Sequence, residues 1–188
     1  MLFRSSPEKR LAGAPVSSGR QCCPRCAGDQ AAPWGSACHG TRSDATAPWR
    51  IQDAQACLAG EAVLEPAAGD IPVEGEVWRQ ANGGFTLYAL AAYGALRWRF
   101  RSAECVVVEA VEVTDHLGDV VLVTAVRIPG LSLLLSGATW GYAGTGPNGL
   151  AAILQDLGAF GDHETAIGWV SQLPIDRAWR LEIRAEPA

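Results

Sequence analysis

Residues 105–135 read CVVVEAVEVTDHLGDVVLVTAVRIPGLSLLL, and their pattern decides the fold class. Val106, Val107 and Val108 are consecutive β-branched residues. Consecutive residues of a strand point to opposite faces, so this run predicts a central strand that is apolar on both sides. Val111 and Val113 then alternate with Glu112 and Thr114. Asp115-His116-Leu117-Gly118-Asp119 has the residues of a turn. Val120 to Ile128 runs back as an antiparallel partner, Pro129-Gly130 ends it, and Leu131 to Leu135 forms a further short strand. Arg127, Pro129 and Gly130 interrupt the apolar stretch Val120 to Leu135, which excludes it as a membrane span.

Downstream the period changes. Leu150, Ile153, Leu154 and Leu157 recur at i, i+3, i+4 and i+7, which places them on one helical face. Pro147 suits the first turn of that helix, with Thr145 or Gly146 as its cap, and Gly158 suits the left-handed residue after its end. Asp162 is an expected N-cap for a second helix, with Ala166, Val170 and Leu173 on its apolar face and Pro174 as its stop. Trp179, Leu181 and Ile183 then alternate with Arg180, Glu182 and Arg184 as a closing edge strand.

Upstream, Glu61 to Glu76 reads as an irregular lead-in. Asn82-Gly83-Gly84 signals a turn. Phe85, Leu87 and Tyr88 read as a strand that Gly94 breaks. Leu96 to Arg101 alternates strictly, so a strand is expected there, with Leu96, Trp98 and Phe100 inward and Arg97, Arg99 and Arg101 outward. An Arg row can meet phosphate, but a solvated face is the expected reading. Segregated strands and helices give an α+β class: a small antiparallel sheet packed against two C-terminal helices, with residues 61–188 as a single domain.

Composition supports a globular unit: 48% of the 188 residues are hydrophobic and 19% charged. The seven Trp are spread along the chain, which reads as core or rim packing. Residues 1–60 carry 7 basic and 4 acidic groups, whereas residues 61–188 carry 8 and 16. The acidic domain repels phosphate backbones, so no nucleic acid is expected as its partner. The first twenty residues contain no signal-like apolar run, and a cytoplasmic location with reduced cysteines is expected.

Residues 1–60 show no sustained period and are expected to be disordered; Met1 is the sole Met, so a start assigned too far upstream is an alternative. Within them, Cys23-x-x-Cys26 has the spacing of half a zinc site. Cys38 and Cys57 would have to complete it, and the adjacent Cys38-His39 pair is poor chelating geometry. The expectation is no cofactor, with zinc held by Cys23, Cys26, Cys38 and Cys57 as the alternative.

Gly144, Gly146 and Gly149 match G-x-G-x-x-G between a strand and a helix. Such a loop lets backbone N–H groups approach an anion at the helix N-terminus. Gly144, Thr145, Gly146 and Asn148 are therefore the candidate anion-binding residues. Against this, Pro147 removes one N–H, and a packing role for the glycines suffices.

The run Trp140-Gly141-Tyr142-Ala143-Gly144-Thr145-Gly146-Pro147, with Leu150-Ala151 after it, resembles the Trp-Gly-Tyr-x-Gly-Ser/Thr-Gly-Pro-x-x-Leu-Ala core of an uncharacterised bacterial and phage domain family of unknown function. Val170, Leu173-Pro174 and Trp179-Arg180-Leu181 fit its later positions, so the resemblance spans about residues 131–183. It departs at Glu186-Pro187-Ala188, where the family's final helix is missing. The resemblance implies a shared fold and no activity.

No catalytic constellation is visible. His39, His116 and His163 lie in separate segments, and no Gly-x-Ser-x-Gly elbow accompanies them. The leading expectation is a non-catalytic bacterial accessory or interaction module with a protein partner or homodimer and no membrane. One alternative is a small-anion-binding protein or enzyme using the Gly144–Gly149 loop with Arg97, Arg99 or His116. The other is a zinc-dependent nucleic-acid adaptor using the N-terminal cysteines.

Overall fold

The computed structural model describes residues 50–67, 75–115 and 117–185. In chain order the elements are α1 (Ile51–Cys57), β1 (Leu64–Pro66), β2 (Glu76–Gln80), α2 (Thr86–Arg101), β3 (Cys105–Thr114), β4 (Val120–Ile128), β5 (Leu131–Leu135), α3 (Thr145–Asp156), α4 (His163–Gln172) and β6 (Arg180–Arg184). The strands form one six-stranded sheet in the order β1-β2-β5-β4-β3-β6. Every neighbouring pair is antiparallel except β2 and β5, which run parallel. The class is α+β, with a mostly antiparallel sheet.

The β3–β4–β5 meander matches its sequence pattern. Val108 faces Val126 across β3 and β4, and Val126 faces Leu133 across β4 and β5. All three are fully buried on the face that the helices cover. Arg180, Glu182 and Arg184 of β6 point away from that face while Leu181 and Ile183 pack onto it. The opposite face buries a second, smaller cluster of Val123, Ala125 and Leu134, edged by Val77, Val111 and Val113.

Residues 86–101 overturn the expected strands. They form one sixteen-residue helix. Four Ala and several Leu and Arg in that span favour helix intrinsically. The six-residue alternation at Leu96–Arg101 is too short to outweigh that propensity together with tertiary packing. Trp98, expected inward, is 71% exposed, whereas Phe100 is fully buried. Arg97, expected outward, pairs with Asp156 of α3. Gly94 breaks nothing: it allows α1 close to α2, and an added Cβ would stand 2.6 Å from Gln55 Cδ.

The lead-in expected to be irregular also contains structure. Leu64 pairs with Gln80, so β1 edges the sheet, and β2 starts at Glu76. Ile51, Ala54 and Leu58 of the α1 segment join the main core, so the folded unit begins before residue 61. Its helical layer contains α1 and α2 as well as the two helices expected.

Those two C-terminal helices fall close to expectation. α3 starts at Thr145, with Gly144 as N-cap, so neither Thr145 nor Gly146 caps it. Pro147 still lies among the first residues, whose N–H groups have no intrahelical partner. Gly158 adopts φ +82° after its end. Asp162 caps α4, accepting from Thr165 N at 2.8 Å and Thr165 Oγ1 at 2.9 Å. That bonding holds the Asp162 carboxyl below its usual range.

Candidate functional site

The parallel pair β2 and β5 places two strand-to-helix loops side by side: residues 81–85 lead into α2, and 136–144 lead into α3. Ligands of sheets with parallel strands gather beyond their carboxyl ends, so the glycine loop occupies the expected place. A polar network, buried at Gln80, Thr86 and Gly137, ties the two loops together. Gln80 Oε1 accepts from Gly137 N at 2.9 Å, and Thr86 Oγ1 donates to Gly137 O at 3.0 Å. Gly84 N donates to Ser136 Oγ at 3.1 Å.

The glycines of this region serve close packing. A Cβ on Gly137 would overlap the backbone carbonyl of Phe85, and one on Gly149 would overlap the Thr86 methyl. A Cβ on Gly146 would crowd Thr139 and come within 3.1 Å of the Tyr142 hydroxyl. Gly144 has extended backbone at φ 170° and begins the helix. Thr145 Oγ1 lies 3.4 Å from Thr86 Oγ1. The Asn148 side chain is engaged at both ends, its Nδ2 donating to Gly144 O at 2.7 Å and its Oδ1 facing His163 Nε2 at 3.1 Å. Gly144, Thr145, Gly146 and Asn148 thus do come together, with His163 beside them.

His163 follows the Asp162 cap as the first residue of α4. Burial lowers the pKa of its imidazole, against a weaker opposing pull from Asp162. The neutral ring donates from Nε2 to Asn148, and its Nδ1 is buried with no partner among the described residues.

The remaining sequence candidates are dispersed. Arg97 is bound to Asp156 and Arg99 to Glu76, so neither reaches the glycine loop. Cys57 closes α1, half-buried. Cys23, Cys26, Cys38 and His116 lie outside the described residues. Among the described residues, no three His, Cys, Asp or Glu side chains converge to hold a metal ion. None of the described helices is long and apolar enough to cross a membrane.

A second region follows from unequal strand lengths. β6 pairs with β3 only over Cys105–Glu109, and β5 pairs with β4 only over Thr124–Ile128. The β3–β4 ladder itself continues from Val111↔Val123 to Thr114↔Val120. Beyond residue 110, neither outer edge of this hairpin has a strand neighbour among the described residues. Four further residue pairs at roughly 3.4 Å each make an arm of about 14 Å. Asp115 shapes its tip, with Oδ1 accepting from Leu117 N at 2.8 Å and Asp119 N at 3.0 Å. Gly118, at φ +90°, completes the turn.

The arm exposes Glu112, Thr114 and Asp119 together with three large apolar side chains. Leu117 is 74% exposed, Val120 66% and Val121 36%. The sequence pattern located the hairpin but not its projection, which depends on how far the flanking strands reach. Comparison with known proteins matches the chain to no family model, no curated protein and no solved structure.

Proposed function

We propose that this protein is a non-catalytic interaction module, an accessory component of bacterial type, that engages a protein partner through the β3–β4 arm. The observation that carries the reading is the arm itself: a two-stranded ribbon whose outer edges pair with no strand among the described residues, with Leu117, Val120 and Val121 exposed. An isolated two-stranded ribbon is marginally stable in water. A partner strand can add to either edge, with main-chain hydrogen bonds providing affinity and alternate side chains providing selectivity. The dispersal of Arg97 and Arg99 away from the glycine loop further favours a binding role.

The test is site-specific photo-cross-linking in bacterial cells. A photoreactive residue at position 117 should give one saturable adduct, and one at exposed Gln172 should give none. Val120→Asp should abolish the adduct without lowering thermal stability. Equal labelling at both positions, or an adduct unaffected by Val120→Asp, would sink the proposal.

A further inference from the structure

The start of α1, the last turn of α2 and the end of α3 frame an open groove of about 450 Å³. Its floor is apolar, formed by Ile51 and Ala152, which are 5% and 7% exposed. Its rim carries Arg50, Gln52, Arg101 and Gln155, with Asp156 in the wall.

The charges here do not balance. Asp156 is already satisfied: its Oδ2 accepts from the Tyr93 hydroxyl and from Arg97 Nε, each at 2.8 Å, and its Oδ1 accepts from Arg97 Nη2. Arg97 neutralises it through this two-pronged contact. Arg101 Nη1 stands 3.9 Å from Asp156 Oδ1, a loose pairing, and its side chain is 55% exposed. Arg50 makes no ion pair with any described residue. Among the groove's lining residues, Arg50 and Arg101 stand against one carboxylate, Asp156, which Arg97 already neutralises, so positive charge is in excess there in a protein of net charge −5. Unmatched guanidinium groups at one groove are suited to a planar or tetrahedral oxyanion, which accepts their paired N–H donors. A phosphoryl group, as a dianion, matches the excess. The Gln52 and Gln155 amides beside it can bond neutral hydroxyls. The volume lies within the usual range for small-molecule sites.

We propose that this groove binds a small phosphate-bearing molecule, its phosphoryl group seated between Arg50 and Arg101. This site is separate from the glycine loop and independent of the arm. The anion is held by side-chain guanidinium groups and not by backbone N–H groups.

The experiment is calorimetric titration of the full chain at low salt with adenosine 5′-monophosphate, inorganic phosphate and adenosine. The monophosphate should bind and adenosine should not. Arg101→Gln and Arg50→Gln should each weaken binding about tenfold or more, the effect of removing a hydrogen bond to a charged group. Gln155 is exposed, so charge can be changed there without disturbing the core. Gln155→Glu should weaken binding and Gln155→Lys should tighten it. Equal affinity for inorganic phosphate would support the site with free phosphate as its ligand; tighter binding of the monophosphate would support a phosphate ester. Binding of adenosine as tight as that of the monophosphate would overturn the proposal. So would no binding of either phosphate, or binding unchanged across both Arg variants and the Gln155 pair.

Discussion

Replacing Asp156 with Ala should destabilise the fold by about 3 kcal/mol, because this carboxylate fastens α2 to α3. Its side chain is 12% exposed and bonds the Tyr93 hydroxyl and both prongs of Arg97. Truncation leaves the Tyr93 hydroxyl without an acceptor inside a residue that has no exposed surface. An orphaned buried donor costs about 1–3 kcal/mol. Arg97 is 29% exposed, so water recovers part of its solvation. Its loss therefore falls below the figure for a fully buried pair, to about 1–2 kcal/mol. For a domain of this size the sum corresponds to a fall of about 10 °C in Tm. Urea denaturation followed by far-UV circular dichroism measures it, with unchanged slope showing a true stability effect. Tyr93→Phe alone should cost about 1 kcal/mol. Combined with Asp156→Ala it should be non-additive by about 1 kcal/mol, since both remove the same bond. An Asp156→Ala chain within about 0.5 kcal/mol of wild type, or strict additivity, would refute the reasoning.

Three further outcomes follow from single side chains. Phe100→Ala should cost about 3–5 kcal/mol and Trp98→Ala less than about 0.5 kcal/mol, because one residue is fully buried and the other lies on the outer face of α2; equal costs would restore the strand reading. Gly137→Ala should destabilise by about 2 kcal/mol or more, since its Cβ meets the Phe85 carbonyl, where a side chain cannot simply rotate away; a neutral effect in thermal melts would contradict the loop packing. Alkaline titration tests Tyr93, whose hydroxyl is pushed well above its ordinary value of 10.0, first by burial and then by the Asp156 charge. The raised value means that the unfolded chain ionises first, so this stability is complete below pH 10 and is lost progressively above it. Tyr93→Phe should flatten that portion of a Tm-against-pH profile, and an unchanged profile would show that Tyr93 is not the group responsible.

Much of the fold was legible because its signals were local. The valine run of β3, the turn at Asp115–Asp119 and the Pro129-Gly130 stop lie within one stretch of chain, and together they mark the antiparallel hairpin of β3 and β4. The same holds for α3 and α4, whose apolar spacing, Gly158 and the Asp162 cap are all short-range features. The candidate site was legible only in part. The position of Gly144–Asn148 at a strand-to-helix turn was readable, whereas the contacts of Gly137, Gly146 and Gly149 with Phe85, Thr139 and Thr86 were not.

By itself, then, the sequence determined the α+β class, the β3–β4–β5 meander, the two C-terminal helices and the closing strand, because each is written in a period or a cap that spans a few residues. Tertiary structure decided the rest. Residues 86–101 became one helix where its Ala, Leu and Arg propensity was joined by tertiary packing, with Tyr93 and Arg97 meeting Asp156 across 63 and 59 residues of chain. β2 found its parallel place beside β5, with Gln80 bonding Gly137 across 57 residues. Which side chains stand exposed on the arm, and which arginines are left unmatched at the groove, depends on partners that no local window contains. Side-chain burial and charge pairing are properties of the assembled layers, and a periodicity read along the chain cannot contain them.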